Sequence, residues 1–363
     1  DYTDYSYIDD DGESKVLSAI SDNIPDRIHG SLLFAQSFVR GRVWHKGEFV
    51  PIESISIIGS KITKLEFSNK EKTEPDHIHD RQVLAFTDAG NNVIKNMLVG
   101  VVGSGGTGSC VIEQLARLGV RKIIAVDPDN FEESNLSRIY GSCYEDTKRN
   151  DLLKVRIVER HVEEISPTIN FDGMPNSVVE RQTLHDLRSC DMVFCCTDTD
   201  WSRSVLNELS YQYLIPIIDM GNKIVVSDGE IKTASGRVIV LRPDHPCLWC
   251  YEQLSSERIT AESMPRRDRE RLQKQKYVMG MDVKEPSVVS LNTVVAGLAV
   301  TEYINLATGF MGEARGFGRQ VYDILEGTVF KSSISPKSTC VCQRCRALGD
   351  GRHVSGVVEA IAS

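Results

Sequence analysis

The sequence predicts an α/β chain whose larger part is a doubly wound, mainly parallel sheet, with a small α+β module ahead of it. Three observations predict it. A purely apolar run of strand length is followed at once by a glycine-rich turn. Apolar strand-length runs then alternate with helix-length amphipathic ones, and the pattern changes character near residue 70.

The elements follow in chain order. Ser31-Leu-Leu-Phe-Ala35, Arg42-Val-Trp-His45 and Ile55-Ser-Ile-Ile58 read as short strands, and Ser68 to Pro75 is polar enough to be a linker. A helical approach segment leads to the buried strand Leu98-Val-Gly-Val-Val102, the glycine turn, a helix to about Leu118 and the strand Lys122-Ile-Ile-Ala-Val126, which together make a βαβ unit. A helix over Leu152 to Ile165, a strand over Met192 to Thr197, a helix over Trp201 to Tyr213 and a strand over Pro216 to Asp219 continue the alternation. The segment from Glu285 to Asn305 reads as a buried helix. The expected organisation is a module over 1–69, a domain over 70–346 and a tail over 347–363.

Composition excludes several classes. The 363 residues are 41% hydrophobic and 26% charged, with a formal charge of −9, which gives no electrostatic ground for binding nucleic acid. The longest apolar stretch, Val288 to Val300, contains Ser290, Asn292 and Thr293 and runs into Glu302, short of the ~20 residues that a membrane span needs. No span is expected. Asp1-Tyr-Thr-Asp4 has neither the basic nor the apolar part of a secretory leader, and 10 cysteines are too sparse for a disulfide framework. A cytoplasmic, reducing setting is the expectation.

The glycine turn, Gly103-Ser-Gly105-Gly106-Thr-Gly108, lets the backbone leave a strand sharply and approach a phosphate, with the next helix offering free N–H groups and a positive dipole end. Asp127 ends the following strand, where a carboxylate can bind ribose hydroxyls. This much fits NAD as well as ATP. Further polar groups fall at or just past strand ends: Asp129, Asn135, Arg138, Lys154 on the next helix, and Asp198 after Cys196-Thr197. Two carboxylates, an amide and two cations beyond Asp127 suit a triphosphate with Mg²⁺ better than a nicotinamide. Cys247-Leu-Trp-Cys250 and Cys342-Gln-Arg-Cys345 form two C-x-x-C pairs, which complete a four-sulfur structural Zn²⁺ site tying a late strand or tail to the domain. Cys340 is an alternative to Cys342, which the two-residue spacer favours. Cys195 and Cys196 sit in an apolar run and read as small buried side chains.

On these residues the chain resembles the ThiF/MoeB family, the adenylating superfamily that includes ubiquitin-activating enzymes. The motifs occur in order: G-x-G-G-x-G; D-x-D-x(5)-N-x-x-R at Asp127, Asp129, Asn135 and Arg138; the helix lysine Lys154; and C-T-D at Cys196 to Asp198 with Arg203 behind it. Arg81-Gln82 upstream and both C-x-x-C pairs extend the likeness over residues 77 to 346. The resemblance implies a Rossmann-like sheet extended by antiparallel strands and ATP, Mg²⁺ and a structural Zn²⁺ as cofactors. It also implies that Asp127 binds ribose, Asp198 holds Mg²⁺, and Asn135, Arg138 and Lys154 contact phosphate oxygens. Arg81 would reach across a homodimer into the neighbour's site, so Arg81, Arg138, Lys154 and Asp198 are the expected catalytic set.

The implied reaction is adenylation of the C-terminal carboxylate of a Gly-Gly-ending ubiquitin-like or sulfur-carrier protein, with release of pyrophosphate. The crossover segment, about 251–285, has no cysteine between Tyr251 and Asn305. The acyl group therefore passes to a thiol on another protein, a conjugating enzyme or sulfur acceptor, or to a hydroxyl such as Ser255, Ser256 or Ser263. The basic stretch Glu262 to Lys276 either guides an acidic partner or is a solvated helix face. Ser6-Tyr-Ile-Asp9 fits the S-x-x-D end of the zinc-isopeptidase (JAMM/MPN) motif, so residues 1–69 are expected to be the second half of such a domain, with Asp9 as a zinc ligand whose histidine partners lie upstream of Asp1. An NAD-dependent oxidoreductase and a catalytically idle activating-enzyme scaffold are the alternatives.

Overall fold

The computed structural model describes residues 4–25, 27–35, 38–67, 77–265, 286–312 and 318–359. The linker expected over 68–75 and most of the basic stretch, from 266 on, lie outside them. The chain divides into two compact units, Asp1–Ile57 with Thr63–Pro75, and Ile58–Ile62 with Asp76–Ser363.

In the first unit, α1 (Tyr7–Asn23) precedes an antiparallel three-stranded sheet of β1 (His29–Phe34), β2 (Val39–His45) and β3 (Glu48–Pro51). Ser6 starts the helix with a capping box: its hydroxyl accepts from the Asp9 N–H, and Asp9 Oδ2 accepts from the Ser6 N–H at 2.8 Å and from Ser6 Oγ at 2.7 Å. Arg42 holds the helix to the sheet. Its buried guanidinium pairs with Asp10 and Glu13 and lies 3.7 Å from the ring centres of both Tyr5 and Phe49. A two-stranded sheet follows, β4 (Ser54–Ile58) with β5 (Ile62–Glu66).

The second unit opens with α2 (Asp80–Asn96) and is built on an eight-stranded sheet. Its parallel part comprises β6 (Leu98–Val102), β7 (Lys122–Val126), β8 (Asn170–Met174), β9 (Met192–Cys195) and the start of β10 (Ile217–Ser227). β11 (Glu230–Leu241), β12 (Arg319–Asp323) and β13 (Thr328–Ser332) extend it antiparallel, in the order β13-β12-β11-β10-β9-β6-β7-β8. The fold class is the one the sequence predicts. β6 and β9 are apolar on both faces because each face is covered. On one side Val111 and Leu115 of α3 (Gly106–Arg117) and Val295, Ala299 and Tyr303 of a long late helix join Val99, Val101 and Phe194. On the other, Val205, Leu206 and Leu209 of α6 (Asp200–Tyr213) join Val193, Cys195 and Ile217.

The chain leaves β6 toward β7 through α3, and leaves β9 toward β10 through α6, in the opposite direction across the sheet. The carboxyl ends of β6 and β9 therefore flank a topological switch point, where open α/β sheets bind ligands.

Several boundaries differ from the sequence reading. α4 (Lys154–Ile165) starts two residues late because Leu152 O accepts from the Phe131 N–H and Leu153 is extended. β10 runs eight residues past Asp219 because β11 pairs with it. β8 and α5 (Arg181–Leu187) carry too little apolar pattern to be found from sequence. The late helix, α8 (Val289–Thr308, after α7 at Ser256–Glu262), starts four residues after Glu285 and ends three residues past Asn305, and it is long and apolar enough by composition to cross a membrane. Half of it is buried in the sheet's core, and Glu302, itself buried, accepts from Gln320 Nε2 at 2.5 Å. Residues past 346 are not a loose tail: the Val358 N–H donates to Val179 O, Val358 O accepts from the Arg181 N–H, and Trp201 Nε1 donates to Gly356 O at 2.8 Å.

Candidate active site

The glycine turn is fixed by sterics. Gly103 has φ +95°, and a Cβ there would stand 2.8 Å from Cys196 O; one at Gly108 would stand 1.7 Å from Gly103 O. Strand end, turn and helix start are thus pressed against the Cys196-Thr197 backbone as only glycine permits. Gly105 is different. It N-caps α3, and a Cβ on it would meet nothing within 4 Å, so there is open space beside the helix start, whose first N–H groups have no intrahelical acceptor. Ser104 Oγ lies buried beneath the turn with no hydrogen-bond partner. Open space at a helix start with an orphaned hydroxyl fits a nucleotide phosphate.

Asp127 is buried at the end of β7, its Oδ2 accepting from the Ser104 N–H at 2.7 Å and its Oδ1 from the Asp129 N–H at 2.9 Å. Burial pushes its carboxyl up, while the Lys154 charge works the other way. Lys154 opens α4 and places Nζ 2.6 Å from Asp129 Oδ2. Asn135 is buried in a short 3₁₀ turn, with Oδ1 accepting from the Glu132 N–H at 3.0 Å. Arg138 donates from Nη1 to Ser134 O at 2.8 Å, and its Cδ would lie 3.3 Å from a Cβ on Gly106. Asp198, exposed just past β9, makes no hydrogen bond or ion pair among the described residues. The structure so gathers the glycine turn, Asp127, Asp129, Asn135, Arg138, Lys154 and Asp198 around the carboxyl ends of β6, β7 and β9. Arg81 stands exposed on the first turn of α2, and no contact ties it to them.

Sequence reasoning missed a buried ionic group beside this crevice. Asp219, fully buried, ion-pairs with Arg237 through Oδ1, and its Oδ2 lies 3.4 Å from Arg203 Nε. Arg203 also donates from Nε to Thr197 O at 3.1 Å, bracing the turn that carries Asp198. Burial is the largest single influence on Arg203 and opposes its charge, but the negative groups around it, Asp219 first among them and then Asp200 and Asp198, together raise the guanidinium pKa. No linear motif marks this trio, because its members come from a helix and two strands.

The sequence profile of the ThiF family matches residues 79–344, well over half of the chain.

The chain belongs to the ThiF family.

Among relatives of this ThiF chain, the adenylyltransferase and sulfurtransferase UBA4 of Kluyveromyces lactis is 27% identical over 160 residues, 44% of this chain and 33% of that protein. The SAMP-activating enzyme E1 of Haloferax volcanii is 28% identical over 151 residues, 41% of this chain and 51% of that protein. The match thus spans between a third and about half of the length of these curated relatives. A crystal structure of Escherichia coli MccB with ATP superposes with a TM-score of 0.57 at 19% identity, covering 74% of this chain and 75% of that one, which shows a shared fold.

The ThiF chain also carries a thiol cluster. The sulfurs of Cys247, Cys250, Cys340 and Cys342 all lie within 4.8 Å of one another, with Cys247–Cys250 and Cys250–Cys342 at 3.8 Å and Cys247–Cys340 at 3.4 Å. Four sulfurs about 2.3 Å from a tetrahedral Zn²⁺ stand about 3.8 Å apart, so the donors and their spacing fit that ion. This set differs from the expected one: Cys340 takes the place of Cys345, which is buried nearby but outside the group. Cys340 N-caps α9 (Val341–Arg344) in extended backbone and Cys342 lies in its first turn, so both thiols meet the first pair, whereas Cys345 caps the far end of the helix.

Proposed function

We propose that this chain adenylates the C-terminal carboxylate of a ubiquitin-like or sulfur-carrier protein. The observation that carries the reading is Asp198: an exposed carboxylate with no hydrogen bond or ion pair among the described residues, just past β9 and so beside the glycine turn at the switch point, in a ThiF chain. The names of the relatives, an adenylyltransferase and an activating enzyme, support it.

A carboxylate oxygen of the donor attacks the α-phosphorus of ATP. The bond from that phosphorus to the β-bridging oxygen breaks, leaving an acyl-adenylate and pyrophosphate. No general base is needed, because the attacking carboxylate is already ionised; the protein positions the reactants and stabilises charge. The N–H groups at the start of α3 receive the phosphate, Asp127 takes the ribose hydroxyls, and Arg138 and Lys154 meet the charge that shifts to pyrophosphate, with the Asn135 amide beside them. Asp198 would hold Mg²⁺, which when bound neutralises phosphate charge. Arg81, free on α2, completes the partner's site in a homodimer.

The acyl group then passes to a thiol on another protein. Within the crossover segment, Ser255 Oγ caps α7 and donates to Glu257 Oε2, whose carboxyl this bond holds below the usual carboxylate range and so leaves a weak base, and Ser263 Oγ donates only to the Thr260 peptide carbonyl. Burial pushes the Cys110 and Cys196 thiols up, away from nucleophilic use. The first unit we read as half of an isopeptidase-type domain: the capping box uses Asp9 Oδ2 and leaves Oδ1 without a partner among the described residues.

Calorimetric titration with Mg-ATP and with NADH, on the wild type and Asp198→Ala, tests the central claim. Mg-ATP binding that weakens in the variant, followed by pyrophosphate exchange with Gly-Gly-ending proteins, is expected. NADH binding without ATP binding overturns the reading in favour of an oxidoreductase.

A further inference from the structure

Strand registers fix what lies next to Asp198. Asp219 of β10 is level with Cys195 of β9 and Val102 of β6, the last paired row of the parallel strands. Gly221 lies two residues beyond that row, and Arg237 of β11 is its direct cross-strand partner. Across the carboxyl edge of the sheet the order is Asp127 on β7, the glycine turn after β6, Asp198 after β9, then Asp219 on β10 and Arg237 on β11. With neighbouring strands about 4.8 Å apart, the Arg237 backbone is about 10 Å to the side of β9, within an arginine's reach of the crevice.

The charge there is unbalanced. One buried carboxylate, Asp219, serves two guanidiniums, and the further charges that act on Arg203, Asp200 and Asp198, lie on its own side of the group. Arg203 commits two of its five donors, Nε to Thr197 O and one on Nη2 to Met220 O. Arg237 makes one hydrogen bond among the described residues, from Nη1 to Asp219, although its side chain is only 17% exposed. A largely buried guanidinium with idle N–H groups is costly unless an anion completes it. Gly221 keeps the surface bare beside both arginines: a Cβ there would stand 3.0 Å from Arg203 Nη2 and 3.7 Å from Arg237 Nη2.

We propose that Arg237, held by Asp219, anchors the carboxylate of the acyl donor beside the α-phosphate. This rests on the adenylation reading above. The ribose and phosphate positions are taken by β7, β6 and β9, and the next place along the edge is the one beside Arg237, whose remaining N–H groups make no hydrogen bond among the described residues. The donor's second carboxylate oxygen, the one that does not attack phosphorus, receives the idle N–H groups and becomes the carbonyl oxygen of the acyl-adenylate. Arg237 is a substrate-anchoring residue, distinct from those that hold nucleotide.

The test needs no donor protein. Calorimetry compares AMP, ATP and glycylglycyl-sulfamoyl-adenosine, a non-reacting acyl-adenylate mimic with an anionic acyl sulfamate, on the wild type, Arg237→Met and Arg237→Lys. The wild type is expected to prefer the mimic to AMP, and Arg237→Met to lose about 10–100-fold of that preference with AMP and ATP affinities unchanged. Arg237→Lys recovers part of it, and the unchanged AMP and ATP affinities of Arg237→Met are what a merely structural loss would not allow. An unchanged preference in Arg237→Met, or no preference in the wild type, overturns the proposal. Weakened ATP with an intact preference overturns it too, assigning Arg237 to pyrophosphate. A wild type that binds neither AMP nor ATP instead sinks the adenylation reading itself.

Discussion

Ser104 donates its backbone N–H to Asp127 Oδ2 at 2.7 Å, so the second residue of the glycine turn and the carboxylate at the end of the next strand are one rigid unit. Asp127 Oδ1 meanwhile accepts from the Asp129 N–H. An asparagine cannot accept both N–H groups, since one of its positions is itself a donor. Asp127→Asn is expected to lower stability by about 1–2 kcal/mol and to weaken nucleotide binding at least tenfold, read by denaturant unfolding and calorimetry.

The glycines of the turn separate packing from binding. Gly108→Ala forces a methyl to within 1.7 Å of Gly103 O, and the chain is expected to lose about 3 kcal/mol or fail to fold. Gly105→Ala meets nothing within 4 Å and has ordinary φ, so stability should change by less than about 0.5 kcal/mol. Its methyl would stand in the phosphate cradle, so Mg-ATP binding should still fall. A thermal melt paired with a titration checks both; Gly105→Ala with full ATP affinity would place the phosphates elsewhere.

The thiol cluster makes a choice between two cysteines. Cys340→Ser is expected to strip Zn²⁺ from the purified chain and Cys345→Ser to leave it bound, as measured by elemental analysis. Chelator should lower the melting temperature of the wild type and of Cys345→Ser alike. The opposite outcome would restore the two C-x-x-C pairs.

Acid should reveal the Asp146–Arg160 pair, in which two guanidinium N–H groups donate to the two carboxylate oxygens at 2.8 and 2.9 Å. Hydrogen bonds from Arg160 lower the Asp146 pKa to about 2 from an ordinary 3.8. A depressed carboxyl stabilises the fold fully above its unfolded value, and that contribution is lost as pH falls from about 4 through 2. Asp146→Asn is expected to cost about 2 kcal/mol at neutral pH, with the deficit vanishing below pH 2 in urea titrations, since Arg160 is a third exposed and the pair is partly screened.

Legibility followed sequence separation. β6 and β7 were readable to the residue because strands buried on both faces are continuous apolar runs. Gly103 to Gly108, Asp127 and Asp198 were readable because strand-end chemistry has a fixed order along the chain. β8 hid because Asn170 and Asp172 break its pattern at a sheet edge.

The sequence by itself determined the doubly wound sheet, the glycine turn and the charges around it, since local apolar period and turn chemistry fix those within a few residues. Only the tertiary structure decided that Cys340 joins the thiol cluster and that Arg237 shares Asp219 with Arg203 beside Asp198. Those depend on strand register and on where a short helix begins, and both are set by packing between segments far apart in the chain.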